Sequence, residues 1–138
     1  MKKLLSRETF KEECFKRDKG KCVFCNEPSV DAHHILDRKL FSDGGYYLDN
    51  AASVCSKHHL DCEYTRISLE SVYEACGIKE PVLPDGFLKD AVYDKWGNQI
   101  VGNYQRLPGP LFHDTAVQKI FKERGDIWMF YTIQQGKK

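Results

Sequence analysis

Along the chain, Cys22 and Cys25 come first, then Asp31, His33 and His34, then Asn50, then Cys55, His58 and His59, and finally Glu63. Zinc favours four Cys or His ligands in a tetrahedron, and a Cys-x2-Cys turn presents two sulfurs to one ion. Cys22/Cys25 and Cys55/His58 are therefore two halves that can close a structural zinc site. Cys62 in place of His58 is the lesser alternative, because Cys55-x2-His58 at the helix start mirrors the first pair. His33, His34, Asn50, His59 and Glu63 have no place in that tetrahedron. They provide material for a second, open metal site beside the closed one.

The elements that must position these residues follow from periodicity and punctuation. Ser6 caps a helix expected over about 7–18, with Phe10 and Cys14 on one face and Gly20 ending it. Lys21–Cys25 reads as a short strand and knuckle, turned by Asn26-Glu-Pro28. Val30–Ile35 reads as a strand in which Asp31 and His33 share one face and His34 points to the other. A loop with Ser42-Asp-Gly-Gly45 leads to a second short strand, Ala51–Cys55. A helix from Ser56 to about Tyr64 would set His59 and Glu63 four apart on one face.

In this order the residues resemble the HNH, or ββα-metal, nuclease family, whose pattern is [Asp/His]-His-[Ile/Val], an Asn, then Cys-x2-[Cys/His]-His. The match is carried by His33-His34-Ile35, Asn50 and Cys55-x2-His58-His59, within about residues 20–64. The resemblance implies a DNA endonuclease that leaves 5′-phosphate and 3′-hydroxyl ends. It makes His34 the general base, since an imidazole near pKa 6.5 can take a proton from water at neutral pH. It makes the Asn50 carbonyl the acceptor that fixes the His34 tautomer. His33 and His59 become ligands of a divalent cation at the scissile phosphate. Glu63 stands where one version of the family has a last histidine. As a hard anionic ligand it favours Mg2+ or Mn2+, directly or through water, unless it is simply an exposed helical acid.

Neighbouring residues take supporting roles. Asp31 is either an acceptor orienting the His33 ring or a solvated strand residue. Arg38 and Lys39 follow the histidines in the loop, where they can grip the nucleic-acid backbone or merely solvate the surface. RNA is an alternative substrate, because the site sees a phosphodiester and not the sugar. A zinc-stabilised nucleic-acid-binding or interaction module without catalysis is the alternative of another class. A small protein of this kind suits a phage, mobile-element, restriction or repair setting.

Composition sets the outer bounds. The 138 residues, 41% hydrophobic and 12% aromatic, are enough for one globular core. No run of about 18 apolar residues exists, so no membrane span is expected. Two leucines after Lys2-Lys3 are too few for a signal-peptide core, so the expected location is cytoplasmic. In that compartment six cysteines point to metal rather than disulfides. Cys14 and Cys76, on helical patterns, read as small buried hydrophobes. The net charge of +1 gives no overall nucleic-acid signature, but residues 1–21 carry eight Lys/Arg against four acids, while residues 22–114 carry eight against fourteen. An acidic middle suits cation capture, and a basic N-terminal arm can meet phosphates.

Downstream, Ser68 caps a helix over about 69–76 ended by Gly77, and Pro81 and Pro84 mark a connector. Ala91–Lys95 and Gln99–Val101 around Gly97-Asn98 suggest a hairpin. After the loop Leu107–Pro110, Asp114 caps a helix over about 115–124, ended by Gly125, and Ile127–Ile133 reads as a strand. Trp96, Tyr104, Trp128 and Tyr131 are expected to pack rather than stack on bases, and His113 belongs to no motif. The expected fold class is α+β: an N-terminal helix (1–20), a zinc-clipped ββα-metal core (21–66) and a C-terminal α/β extension (67–138) packed on it.

Overall fold

The helix α1, Arg7–Arg17, begins where the Ser6 hydroxyl accepts a hydrogen bond from Thr9 N. That bond satisfies one of the N–H groups a helix start leaves free. Its inward face carries Phe10 and Cys14, both buried. In this computed structural model the residues described are 2–101 and 105–124. Tyr104, Gly125 and the expected strand Ile127–Ile133, with Trp128 and Tyr131, lie outside them.

Strands β1 (Asp31–His34) and β2 (Ala51–Val54) pair antiparallel, with His33 opposite Ala52 and His34 opposite Ala51. β2 is buried along its length because both of its faces are covered. Ala51 packs with Phe10 and Cys14 of α1, and the Ser53 hydroxyl donates to Cys14 O at 3.2 Å. Ala52 and Val54, on the opposite face, join Ile35, Leu36 and Cys62. Alternation along a strand thus sends consecutive residues to different helices. The same alternation separates the adjacent histidines of β1.

Helix α2 (Ser56–Glu63) follows β2 directly, so the hairpin and helix form one continuous ββα unit. Helix α3 (Leu69–Cys76) is capped by Ser68 and ends at Gly77, whose φ of 71° is the left-handed conformation a C-cap favours. Leu69, Val72 and Ile78 share the core of Ile35, Leu36, Val54 and Cys62.

Two expectations change. Lys21–Cys25 is no strand. It is a turn with a single antiparallel bridge, Lys21 to Pro28, held by Cys22 N to Glu27 O at 2.7 Å and docked by Val23 N to Ser53 O at 3.0 Å. A tight turn is what gathers two sulfurs. The downstream hairpin gains a further arm: residues 91–95 meet β3 (Gln99–Val101) through the bridge Tyr93–Gln99, Asp94 N to Asn98 O at 2.9 Å and Ile100 N to Val92 O at 2.8 Å, and β3 also pairs with β4 (Gln105–Leu107). The Asp94 carboxylate accepts from Trp96 N and Asn98 N, both at 3.0 Å, and closes the first turn, with Lys95 and Trp96 buried in it.

Helix α4 (Thr115–Arg124) starts at Asp114, whose Oδ1 accepts from Ala116 N at 3.0 Å. Trp96, Phe112, Val117 and Phe121 form a second apolar cluster, so Trp96 packs as expected. Among the described residues the fold is mixed α+β, with four α-helices and two small antiparallel sheets. No helix there is long and apolar enough to cross a membrane.

Candidate functional site

The knuckle and the start of α2 bring four ligands together. Cys25 Sγ lies 3.7 Å from Cys55 Sγ, and His58 Nδ1 lies 3.5 Å from Cys22 Sγ and 3.2 Å from Cys55 Sγ. A zinc tetrahedron with bonds of about 2.3 Å to sulfur and about 2.0 Å to nitrogen has edges of about 3.8 and about 3.5 Å. The set is therefore shaped for zinc without rearrangement. Cys55 is already inclined to thiolate: its pKa falls to about 6, first through the His58 backbone N–H and then through the His58 side chain and neighbouring thiols. Cys62 does not compete for the ion. It is buried in the apolar core, and burial pushes its thiol up to about 12. The Cys3His cluster can bind a structural metal.

On the other side of α2, His33, His59 and Glu63 each offer a ligand atom, all within 4.8 Å of one another. β1 supplies a fully enclosed His33, and one turn of helix separates His59 from Glu63, whose Oε1 lies 3.3 Å from His59 Nε2. Burial first, then the charges of Lys95 and the other histidines, hold His33 well below its usual pKa, so it is the neutral, ligating form. His59 is raised, first by its hydrogen bond to Glu63. Burial would raise Glu63, but His59 and the Lys95 charge bring it below its usual value. Glu63 is thus an ionised acid turned into the site rather than a solvated one.

This group opens on a cleft of about 410 Å³ that His34 also lines. The His34 ring is fixed between Phe10, stacked at 4.6 Å, and Tyr46, edge-on at 4.9 Å. Burial, then the Lys95 charge, lowers its pKa to about 4, while Asp37 and the Gly44 backbone act the other way. The ring is neutral at pH 7. Its Nε2 is buried without a well-formed hydrogen bond.

Asn50 has a different partner from the one expected. Its Oδ1 accepts from Leu36 N at 2.9 Å, and its Nδ2 donates to Leu36 O at 3.1 Å and Gly45 O at 3.2 Å. Asn50 is fully buried and ties the end of β1 to the loop whose Gly44 backbone flanks His34. Its influence on the base runs through that loop. Asp31 likewise faces His59, at 3.7 Å, rather than His33.

Arg38 lines the cleft, as do Arg7 and Lys11 from the basic N-terminal segment. Lys39 does not: its Nζ bonds Asp114 at 3.1 Å. Sequence reading missed Lys95, a cleft residue only 4% exposed, whose Nζ donates to His34 O at 2.9 Å. Its only sequence signal was a lysine beside a tryptophan at a tight turn, which resembles any surface hairpin.

No protein-family model, curated protein or solved structure matches this chain. Two ligand sets use adjacent histidines of α2: His58 joins three thiols, and His59 joins a second imidazole and a carboxylate. The open set shares its cleft with a neutral imidazole and with basic side chains from α1 and the loop after β1.

Proposed function

We propose that this protein is a divalent-metal-dependent endonuclease of the HNH kind, hydrolysing phosphodiester bonds in DNA. The observation that carries the reading is the joint opening of His34 and of His33, His59 and Glu63 on one cleft, apart from the Cys3His cluster. Zinc in that cluster would hold the knuckle against α2 and take no part in the chemistry. Mg2+ or Mn2+ between His33, His59 and Glu63 would supply positive charge to a non-bridging phosphate oxygen and to the leaving 3′ oxygen.

The remaining steps belong to the chain. The His34 imidazole takes a proton from water, and the water oxygen bonds to phosphorus as the bond from phosphorus to O3′ breaks. A 5′-phosphate and a 3′-hydroxyl result, the latter protonated from solvent. A base with its pKa near 4 is present in its active form at neutral pH, though its proton affinity is modest. Phe10 and Tyr46 keep the ring from rotating, which preserves the orientation a proton transfer needs. Arg7, Lys11 and Arg38 can meet flanking phosphates without reading sequence.

Supercoiled plasmid incubated with the zinc-loaded protein and Mg2+ or Mn2+ is expected to be nicked. His34→Ala should slow nicking by about 10²–10⁴-fold. Equal nicking by that variant would remove His34 from its role. Zinc uptake without a second ion, and with no cleavage of single- or double-stranded DNA or RNA, would favour a non-catalytic binding module.

A further inference from the structure

Lys95 comes from the C-terminal segment yet ends at the floor of the cleft, 4% exposed. A lysine so enclosed needs partners for its charge. Its Nζ has the His34 carbonyl at 2.9 Å, Asp37 Oδ1 at 3.5 Å and Glu63 Oε2 at 3.9 Å, and the Trp96 ring lies 4.8 Å away. Trp96 adds a bond from Nε1 to the Glu63 carbonyl at 2.9 Å. Residues 95 and 96 therefore address Glu63 at both its carboxylate and its main chain.

The two oxygens of Glu63 are differently placed. Oε1 faces His59 at 3.3 Å, whereas Oε2 is buried, makes no hydrogen bond and lies on the Lys95 side. A carboxylate divided in this way offers one oxygen to an ion shared with His33 and His59. We propose that Lys95 is a positioning residue of the open metal site: a resident counter-ion that keeps Glu63 single-armed and limits how tightly a divalent cation is held. The inference rests on the proposed metal role of His33, His59 and Glu63.

The direction of the effect follows from charge. A fixed ammonium repels an incoming dication and neutralises part of the Glu63 charge that attracts it. Replacing it with a neutral side chain of similar length removes both penalties and frees Oε2 to join Oε1 on the ion. The His34 carbonyl loses its anchor at the same time, so tighter metal binding should accompany slower chemistry.

The test uses the full-length zinc-loaded protein, with Mn2+ titrations followed by electron paramagnetic resonance. Lys95→Met should bind Mn2+ at least about threefold more tightly than wild type, and Lys95→Arg should stay within about twofold of it. In a Glu63→Gln background the effect of Lys95→Met should shrink, because only the direct repulsion between ammonium and dication remains once that carboxylate is gone. With Mn2+ saturating, plasmid nicking by Lys95→Met should fall about tenfold at little-changed DNA affinity. Unchanged or weaker Mn2+ binding by a folded Lys95→Met would overturn the proposal, as would Lys95→Arg behaving like Lys95→Met. Lys95→Gln substitutes if Lys95→Met does not fold. Failure of both to fold makes Lys95 a purely structural cation and overturns the proposal too. Wild type that binds Mn2+ but cuts nothing ends the nuclease reading and leaves Lys95 judged by binding alone. Wild type that binds no Mn2+ ends both.

Discussion

Asn50 and His34 sit on the same stretch of hairpin but answer to different physics. His34 has a half-buried ring packed between aromatics, and its loss should affect chemistry more than folding. Asn50 is fully enclosed and satisfies three backbone groups. Asn50→Ala strands the Leu36 N–H and two carbonyls away from water, so unfolding free energy should drop by about 1–3 kcal/mol. Urea denaturation checks the figure. Asn50→Asp should do no better, because a carboxylate can accept from Leu36 N but cannot donate to either carbonyl. Residue types made the ligands legible: sulfur and imidazole at fixed spacings announce a metal. The partner of Asn50 was not legible, since an amide bonds whichever backbone the loop brings near. Lys95 was hidden for a similar reason, as nothing local says that a turn lysine will be swallowed by a distant cleft.

At the scale of elements, helix caps were the most readable feature, because Ser6, Ser68 and Asp114 each satisfy backbone donors through local bonds. β4 was not readable, as Gln105-Arg106-Leu107 has little of the β-branched or aromatic character that marks a strand. The attachment of α1 was also missed. Arg17 at its end donates to Leu48 O at 3.0 Å and Ala51 O at 2.7 Å, while Asp18 pairs with Arg17 at 2.8 Å and accepts from Ser53 N at 3.2 Å. Burial alone would raise the pKa of Asp18, but hydrogen bonds from Arg17 and Ser53 bring it below its usual value. A lowered carboxyl adds stability above its unfolded pKa of about 3.9, and loses it as pH falls toward the folded value. Asp18→Asn should therefore melt below wild type at pH 7, and the gap should narrow as pH drops under about 4. A gap that widens in acid would contradict this account.

The Cys3His cluster belongs to the same scale. The knuckle reaches α2 through four ligands and reaches β2 through Val23 N. Stripping zinc with a chelator leaves Cys25 exposed and the turn held only by the Val23 backbone bond and the packing of Cys22 and Phe24. Melting temperature should fall on the order of 10 °C or more, since metal binding to such a site acts as folding energy. Calorimetry before and after zinc is restored gives the measurement, and an unchanged melt would mean that the cluster does not clip the fold.

Across the whole molecule, the proposed open metal site depends on a segment that holds none of its candidate ligands. The main apolar core runs from Ile35 to Ile78, and the turn that Asp94 closes delivers Lys95 to the cleft and Trp96 to the second apolar cluster. Asp94 is 3% exposed and pairs with Arg106 of β4 at 2.9 Å, and Arg106 reaches back to the Thr65 hydroxyl at 3.2 Å. Asp94 thus fixes the turn, joins it to β4 and aims two side chains at Glu63. Removing one member of an enclosed ion pair leaves the other charged and unpartnered, at a cost of about 3–5 kcal/mol. Asp94→Ala should accordingly loosen residues 94–107 before the ββα unit. Hydrogen exchange should rise across that segment while zinc stoichiometry stays at wild type, because all four ligands of the Cys3His cluster lie within residues 22–58. Nicking should fall with the exchange protection, since Lys95 can no longer hold Glu63 and the end of β1. Uniform loss of protection, zinc included, would instead make the chain a single cooperative unit in which the cleft and the clip stand or fall together.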